Sequence, residues 1–163
     1  MELRVANSSD CAVILLLIRE LAEFEGLLHE VQSDETTLER HLFGPNPRAH
    51  ALIAEVDGQI AGFALYFFNF STFLGKPGLY LEDLYVRPTF RGRGFGRLLM
   101  QRLAQIALQN ECGRFEWWVL DWNAPAIKFY RSLGALAMGD WTVQRVSGDA
   151  LHALAANNRP LGE

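Results

Sequence analysis

The segment from Leu79 to Met100 constrains the fold of this chain more than any other. A strand-like stretch ends at Val86-Arg87-Pro88, because proline has no N–H to donate to a sheet. The glycine-rich run Arg91-Gly92-Arg93-Gly94-Phe95-Gly96 then opens a helix. Glycines let the backbone approach a ligand closely, and the free N–H groups at a helix start bind phosphate. The segment predicts a pyrophosphate cradle, with positive charge added by Arg91, Arg93 and Arg97.

Other phosphate-binding patterns do not fit this glycine-rich run. The chain contains no G-x-x-x-x-G-K-[ST] sequence, which excludes a P-loop. The glycines follow a G-x-G-x-G spacing, and no acidic residue follows at the distance that a dinucleotide-binding fold requires. Taken alone, the run also fits a glycine-rich turn with solvated arginines.

Length and composition favour one globular domain. The chain has 163 residues, of which 50% are hydrophobic, so it suits a single core and is short for two. We expect one domain over residues 1–155 and a frayed tail over residues 156–163. A net charge of −4 disfavours nucleic-acid binding, because no basic stripe is available to neutralise phosphates.

The sequence also disfavours a membrane-spanning protein, a disulfide-stabilised protein and a metalloprotein. The longest apolar run near the start, Ala12 to Ile18, is far shorter than the about 20 residues of a membrane span. Cys11 and Cys112 are distant and have no C-x-x-C spacing, which predicts reduced thiols in a cytoplasmic protein. We expect no metal, since metal-ligand spacing is absent from the histidines His29, His41, His50 and His152.

Periodicity and turn signals predict the order β-α-α-β-β-β-α-β-α-β, a mixed sheet with helices on both faces. The expected helices run from Ser8–Asp10 to Glu25, from Ser33 or Asp34 to Gly44, from Gly96 to about Asn110, and from Ala124 to Leu133. The expected strands are Leu3–Val5, His50–Val56, Gln59–Phe70, Leu79–Val86, a central Phe115–Leu120, and a last strand Trp141–Val146.

The glycine-rich run and its neighbours resemble the GNAT acetyltransferases. Arg91-x-x-Gly94-x-Gly96, after a strand ending in Val-x-Pro, matches their R/Q-x-x-G-x-G/A acetyl-CoA signature. Within GNAT the chain is most similar to the diamine acetyltransferases, which include the spermidine/spermine and thialysine enzymes. The resemblance implies an α/β fold with a GNAT-like mixed, mostly antiparallel central sheet. It is carried by Ile18–Ala22, Tyr80–Val86, Trp122-Asn123, Ile127, Phe129-Tyr130 and Leu133-Gly134-Ala135.

Transfer of an acetyl group from acetyl-CoA to an amine makes three chemical demands. An alkyl ammonium, with a pKa of about 10.4, is not nucleophilic until it loses a proton, usually to a carboxylate directly or through water. A backbone N–H should face the oxyanion that forms at the thioester carbonyl. The leaving thiolate gains from a proton donor, and a tyrosine hydroxyl is well suited to that role.

The resemblance implies a residue for each role. Glu82 is the general base, acting through water; Asp83 holds the substrate amine; Tyr130 is the general acid. Neighbouring strand residues point to opposite faces, so the two carboxylates share a task only where the strand bulges. The alternatives are that Glu82 and Asp83 are strand charges in contact with solvent and that Tyr130 packs on the core. Asn123 either lies near the pantetheine arm or caps a helix. The implied acetyl-CoA contacts are Leu84, Tyr85, Val86, Arg91, Gly92, Arg93, Gly94, Phe95, Gly96, Arg97, Asn123 and Tyr130.

Two features bear on the acceptor, for which we expect a small-molecule amine. The stretch from Leu21 to Glu39 has no Lys or Arg, so its carboxylates either attract a cationic amine or form a solvated face. The aromatic residues of the return strand either line the alkyl part of the acceptor or pack in the core or a dimer interface. The acidic residues are Glu23, Glu25, Glu30, Asp34, Glu35 and Glu39, and the aromatic residues are Phe67, Phe68, Phe70 and Phe73.

The identity of the amine stays open among polyamines, diamines and thialysine-like amino acids. Phe73 stands where polyamine acetyltransferases tend to have tryptophan, and Ala124 where the spermidine/spermine type has an acidic residue. Val119–Asn123 looks more like the thialysine type. A protein lysine or N-terminal acetyltransferase and a non-catalytic acyl-CoA-binding module are the alternatives. Related enzymes form homodimers, so we expect a homodimer here.

Overall fold

The fold was analysed in a computed structural model that describes residues 2–156. Five strands form one sheet, and the helices follow the predicted order as far as Gly134. The strands are β1 (Glu2–Val5), β2 (His50–Val56), β3 (Gln59–Ser71), β4 (Lys76–Val86) and β5 (Arg114–Trp117). The helices are α1 (Cys11–Glu25), α2 (Glu35–Leu38, continued by a π turn over Glu39–Phe43), α3 (Phe95–Gln109), α4 (Ala124–Arg131) and α5 (Gly148–Ala156).

The strands lie in the order β1-β2-β3-β4-β5. Every neighbouring pair is antiparallel except β4 and β5, which run parallel. The mostly antiparallel mixed sheet is therefore confirmed. Asp57 and Gly58 both have positive φ, 51° and 74°, which matches the tight turn predicted between β2 and β3.

Helices α1 and α3 cover opposite faces of the sheet. Ile14 and Leu17 of α1 pack with Ile53 and Phe63, and all four are fully buried. Because successive strand residues point to opposite faces, the equally buried Leu52 belongs to the other face. That face is covered by α3, whose buried stripe includes the four predicted residues Phe95, Leu99, Leu103 and Ile106.

An ion-pair network ties the first strand to its neighbours. Arg4 donates two hydrogen bonds of 2.7 Å to the carboxylate of Asp10, and a third of 2.8 Å to Glu55 on β2. Asp10 is buried, and Arg4 lowers the pKa of its carboxyl group below the ordinary value. Asp10 also accepts a hydrogen bond of 2.8 Å from the backbone N–H of Asn7, and the Asn7 side chain caps the 3-10 turn in return.

Three sequence-based expectations were wrong. Strand β5 is an edge strand of the described sheet and ends at Trp117, so its apolar character reflects one-sided packing by α3. Strand β4 begins at Lys76, inside the expected loop, because its pairing with β3 extends to Ser71. Residues 141–146 form no strand, and α5 follows them unpredicted. The expected tail falls on 157–163, outside the described residues, except for Ala156, which is helical.

The chain divides into two compact units, Met1–Trp118 and Val119–Glu163. The first contains the sheet, α1, α2 and α3. The second contains α4 and α5, and neither of these helices has a buried residue. Its segment between the two helices exposes large apolar side chains, namely Leu136, Met138, Trp141, Val143 and Val146.

Asp10→Asn is expected to lower the free energy of unfolding by about 1–3 kcal/mol at pH 7, because Arg4 then loses a charged, hydrogen-bonded partner. The folded-state pKa of Asp10 is lowered, so its contribution is present above the unfolded pKa of about 3.9 and disappears as the pH falls further. Urea unfolding at pH 7 and pH 3 measures this. The exposed Asp149→Asn serves as control, and an equal loss at both pH values would contradict the prediction.

Candidate active site

The glycine-rich run forms an exposed loop at the start of α3. Gly92 and Gly94 have φ values of 73° and 87°, which L side chains rarely adopt. Gly94 is the N-cap of α3, and no side chain caps that helix end. A Cβ atom at either glycine would meet nothing within 4 Å, so the space over the loop is open. Uncapped N–H groups at a helix start with open space above them fit the phosphates of a coenzyme A.

Two arginines of the loop are held by aromatic rings. Arg91 donates through Nε to the carbonyl oxygen of Val86 at 2.9 Å, and its guanidinium lies 4.9 Å from the ring centre of Phe24. Arg93 lies over the rings of Phe90 and Phe95, at 5.5 and 5.8 Å. Cation–π contacts hold these charges beside the loop without neutralising them.

Strand β4 leads into this loop and is interrupted by one β-bulge. Leu65 of β3 pairs with Asp83, and the next residue, Tyr66, pairs with Leu81, so Glu82 has no partner on β3. A bulge places one extra residue in a strand and shifts the alternation of side chains. Asp83 consequently shares a face with Leu65, on the α1 side of the sheet, while Glu82 is exposed. The bulge required for both carboxylates to serve one site is present.

Asp83 is the most perturbed carboxyl group of this region. Burial raises its pKa to about 7, and the negative charges of Glu82 and Glu25 add to the effect. Among residues 2–156, Asp83 has no hydrogen-bond or ion-pair partner that would stabilise its ionised form. A half-buried carboxyl that titrates near neutral pH can exchange a proton with a substrate.

Glu25, at the end of α1, is the one member of the acidic segment that influences Asp83. Burial raises the pKa of Glu25 as well. The other members have separate environments: Asp34 caps α2, and Glu30 pairs with His29 at 3.5 Å. The signal for Glu25 in the sequence was its position just before the helix-ending Gly26, but only the packing of α1 on β4 identifies it.

The aromatic residues divide between the two faces of the sheet. Phe67 lies 5.0 Å from Tyr80, which in turn lies 5.8 Å from Trp118, and this cluster continues the face of Asp83. Phe68 lies on the opposite face, near His50 and Tyr66. Phe70 and Phe73 are exposed. The sequence did not group Tyr80 and Trp118 with the acceptor aromatics, because only the register of β4 and β5 aligns them with Phe67.

Asn123 and Tyr130 belong to the second unit. The Asn123 side chain accepts a hydrogen bond from the backbone N–H of Ala126 at 3.3 Å and so caps α4, as one of the two sequence interpretations stated. Tyr130 lies on α4, with its ring 5.3 Å from that of Phe129.

No cluster of His, Cys, Asp or Glu in residues 2–156 is arranged to hold a metal ion. Within the same residues, every helix is too short or too polar to cross a membrane. Both cysteines of the described chain are free thiols.

Comparison with known proteins identifies the family. The model of the GNAT acetyltransferase family matches residues 16–135. A thialysine N-epsilon-acetyltransferase from Mus musculus is 40% identical, over 94% of this chain and 96% of its own. An L-ornithine N5-acetyltransferase from Arabidopsis thaliana is 32% identical, over 93% of this chain and 86% of its own.

Solved structures share the fold. An integron cassette protein from V. cholerae superposes with a TM-score of 0.79 at 28% identity, covering 95% of this chain and 97% of its own. A ribosomal-protein-alanine N-acetyltransferase from Brucella melitensis, at 20% identity, shares the fold with a TM-score of 0.71 and covers 91% of this chain and 100% of its own. The chain belongs to the GNAT family and is an acetyltransferase.

Proposed function

We propose that this enzyme transfers the acetyl group of acetyl-CoA directly to a primary amine of a small cationic molecule: a polyamine, a diamine or a thialysine-like amino acid. The observation that carries the proposal is the placement of Asp83, a carboxyl with a pKa of about 7, on the strand that leads into an open glycine cradle. The thialysine and ornithine enzymes among its relatives are named for amines of this class.

Acetyl-CoA supplies the activated acetyl group. We propose that the pyrophosphate binds the uncapped backbone N–H groups from Gly92 to Arg97, with the charges of Arg91 and Arg93 beside it. Leu84 to Val86 would line the path of the pantetheine arm toward the bulge. The resemblance adds Asn123 and Tyr130 of the second unit to this set, and residues 1–155 would act together as one catalytic domain.

The two carboxylates of the bulge divide the handling of the amine. Burial and the neighbouring charges of Glu82 and Glu25 favour Asp83 as the group that takes the ammonium proton. Glu82, exposed on the bulge, would then hold the ammonium directly or through water. This division reverses the roles implied by the resemblance, and Tyr130 remains the proposed proton donor to the sulfur of the departing CoA.

A homodimer is part of the proposal. The exposed ring of Phe70 on β3 and the apolar side chains between α4 and α5 support it, because large exposed apolar surfaces mark interfaces. A cytoplasmic location is supported by the two free thiols.

Gly94→Asp is expected to abolish CoA binding. The new side chain would strain a backbone with φ of 87° and place a negative charge at the phosphate position. Isothermal calorimetry with CoA measures the loss. Gly58→Asp is the matched control, because it has a similar φ of 74° in the distant turn between β2 and β3. Unchanged CoA affinity in a folded Gly94→Asp protein would contradict the cradle.

The pH dependence of kcat/KM is expected to show an acidic limb with a midpoint near 7, because Asp83 must be ionised to accept a proton. Asp83→Asn should remove this limb, and its activity should rise only toward the amine pKa of about 10.4. Tyr130→Phe should lower kcat by about 10²–10⁴-fold and keep the limb.

Glu82→Gln separates the two carboxylates in the same experiment. It is expected to raise KM for the amine and to keep the acidic limb. The limb should shift to lower pH, because the charge of Glu82 no longer raises the pKa of Asp83. Loss of the limb in Glu82→Gln and its persistence in Asp83→Asn would restore the roles implied by the resemblance.

Light scattering is expected to give twice the chain mass of 18.4 kDa. Phe70→Glu should shift the protein toward the monomer, because a charge would have to be buried at the interface. Leu108→Glu, at another exposed apolar position, is the control. A monomeric wild type at all concentrations would overturn the homodimer.

A further inference from the structure

We propose that Arg114 and Glu116 of β5 bind the carboxylate and α-ammonium of the acceptor, with Asn69 of β3 positioning Arg114, so that the preferred substrate is a diamino acid rather than a polyamine. The inference rests on the proposed acetyl transfer to an ω-amine near Asp83. It deepens that proposal by naming the substrate class and the residues that select it.

The three residues lie on the same sheet face as Asp83. Cα partners across β3, β4 and β5 are Asn69, Gly78 and Arg114 in one row, and Phe67, Tyr80 and Glu116 in the next. Asp83 is paired with Leu65 in the row beyond Phe67, and the bulge at Glu82 places it on this same face. All of these residues belong to the first unit.

Gly78 brings the amide and the guanidinium together. A Cβ atom at this position would overlap Asn69 Oδ1 and would lie 3.2 Å from Arg114 Nε, so the two side chains meet over the glycine. Both of these atoms are buried and lack a hydrogen-bond partner among the described residues. Buried polar atoms without partners are rare in folded proteins and call for an explanation.

Arg114 and Glu116 form an ion pair, but the pair leaves hydrogen-bonding capacity on both side chains. Arg114 Nε lies 2.8 Å from Glu116 Oε2, an ion pair without the geometry of a hydrogen bond. Side-chain exposures of 37% and 39% leave both groups accessible. In the proposed complex, Asn69 Oδ1 accepts a hydrogen bond from the Nε–H of Arg114 over Gly78. The terminal N–H groups of Arg114 then bind a carboxylate, and Glu116 binds an ammonium.

A cation beside an anion complements the zwitterionic end of an amino acid. A polyamine has no carboxylate, so its second ammonium can use Glu116 but leaves the guanidinium of Arg114 without a partner. The guanidinium fork matches the two oxygens of a carboxylate. The aromatic rings of Phe67, Tyr80 and Trp118, between this end and Asp83, offer apolar surface to the methylene chain of the substrate.

The spacing along the sheet agrees with this substrate class. From Leu65, opposite Asp83, the row of Glu116 is two residues away along β3 and the row of Arg114 is four, or about 7 and 13 Å. The ω-nitrogen of an extended lysine-like side chain lies roughly 6 Å from its α-carbon, and the carboxylate lies beyond that. Arg114 Nε lies over Gly78, in the row of Arg114, and 2.8 Å from Glu116 Oε2 in the neighbouring row.

The test compares each diamino acid with its decarboxylated amine. Initial rates with acetyl-CoA are measured for lysine and cadaverine, and for ornithine and putrescine. Wild type is expected to favour the amino acid of each pair by at least about tenfold in kcat/KM. Arg114→Gln should raise KM for the amino acids by about 10- to 100-fold and leave the diamines within about twofold.

Arg48→Gln, at an exposed site outside the sheet, removes the same charge and should change neither class. Calorimetry with CoA verifies that Arg114→Gln is folded. Equal losses for both members of a pair, or a wild-type preference for the diamine, would overturn this inference and leave the proposed transfer intact. Failure of wild type to acetylate any of the four amines would overturn this inference. Failure with spermidine and thialysine as well would overturn the proposed function.

Discussion

The register between β3 and β4 is the constraint on which the candidate site depends. Ten pairs of residues run antiparallel from Gly62–Val86 to Ser71–Lys76, and the ladder is interrupted once, at Glu82. A register is strongly specified where one face is buried, because a shift by one residue would expose the core side chains. Phe63 and Leu65 on one face, and Leu79 and Leu81 in β4, are buried and hold it in place.

The bulge at Glu82 gives a titratable carboxyl group a fixed position on this sheet. It returns Asp83 to the α1 face, among groups that desolvate its carboxyl and add negative charge, and its pKa rises to about 7. An isolated half-buried carboxylate costs stability, and such costs are tolerated at sites where function uses them. Three residues beyond Asp83 the same strand ends, and the open glycine loop begins. The group that titrates and the cradle that fits phosphate are thus fixed by one strand.

At the opposite end of β4, the lack of a side chain at Gly78 lets Asn69 and Arg114 meet. Gly78 sits between Asn69 and Arg114 in the cross-strand row, and any Cβ atom there would collide with the amide oxygen. The edge position of β5 matters as well, since a central strand would be buried on both edges, whereas the edge leaves Arg114 and Glu116 partly exposed. The incorrect expectation of a central β5 therefore gave no reason to expect accessible charged groups on this strand.

The sequence by itself determined the elements with strong local signals. Helical spacing predicted α1 and the buried stripe of α3, Asp57-Gly58 predicted the turn, and the glycine-rich run predicted the loop that opens α3. Each of these depends on residues that are close along the chain. The strand expected at 141–146 was wrong, since a strand also needs a partner that local sequence does not supply.

Tertiary structure decided how distant residues meet. The bulge at Glu82, the influence of Glu25 on Asp83, and the row formed by Asn69, Gly78 and Arg114 depend on strand register and helix packing. The resemblance assigned the base to Glu82 and the binding of the amine to Asp83, but strand alternation alone did not show how the two carboxylates differ in burial. Burial distinguishes them, and burial is a property of the packed sheet and helix α1 rather than of any local stretch of chain.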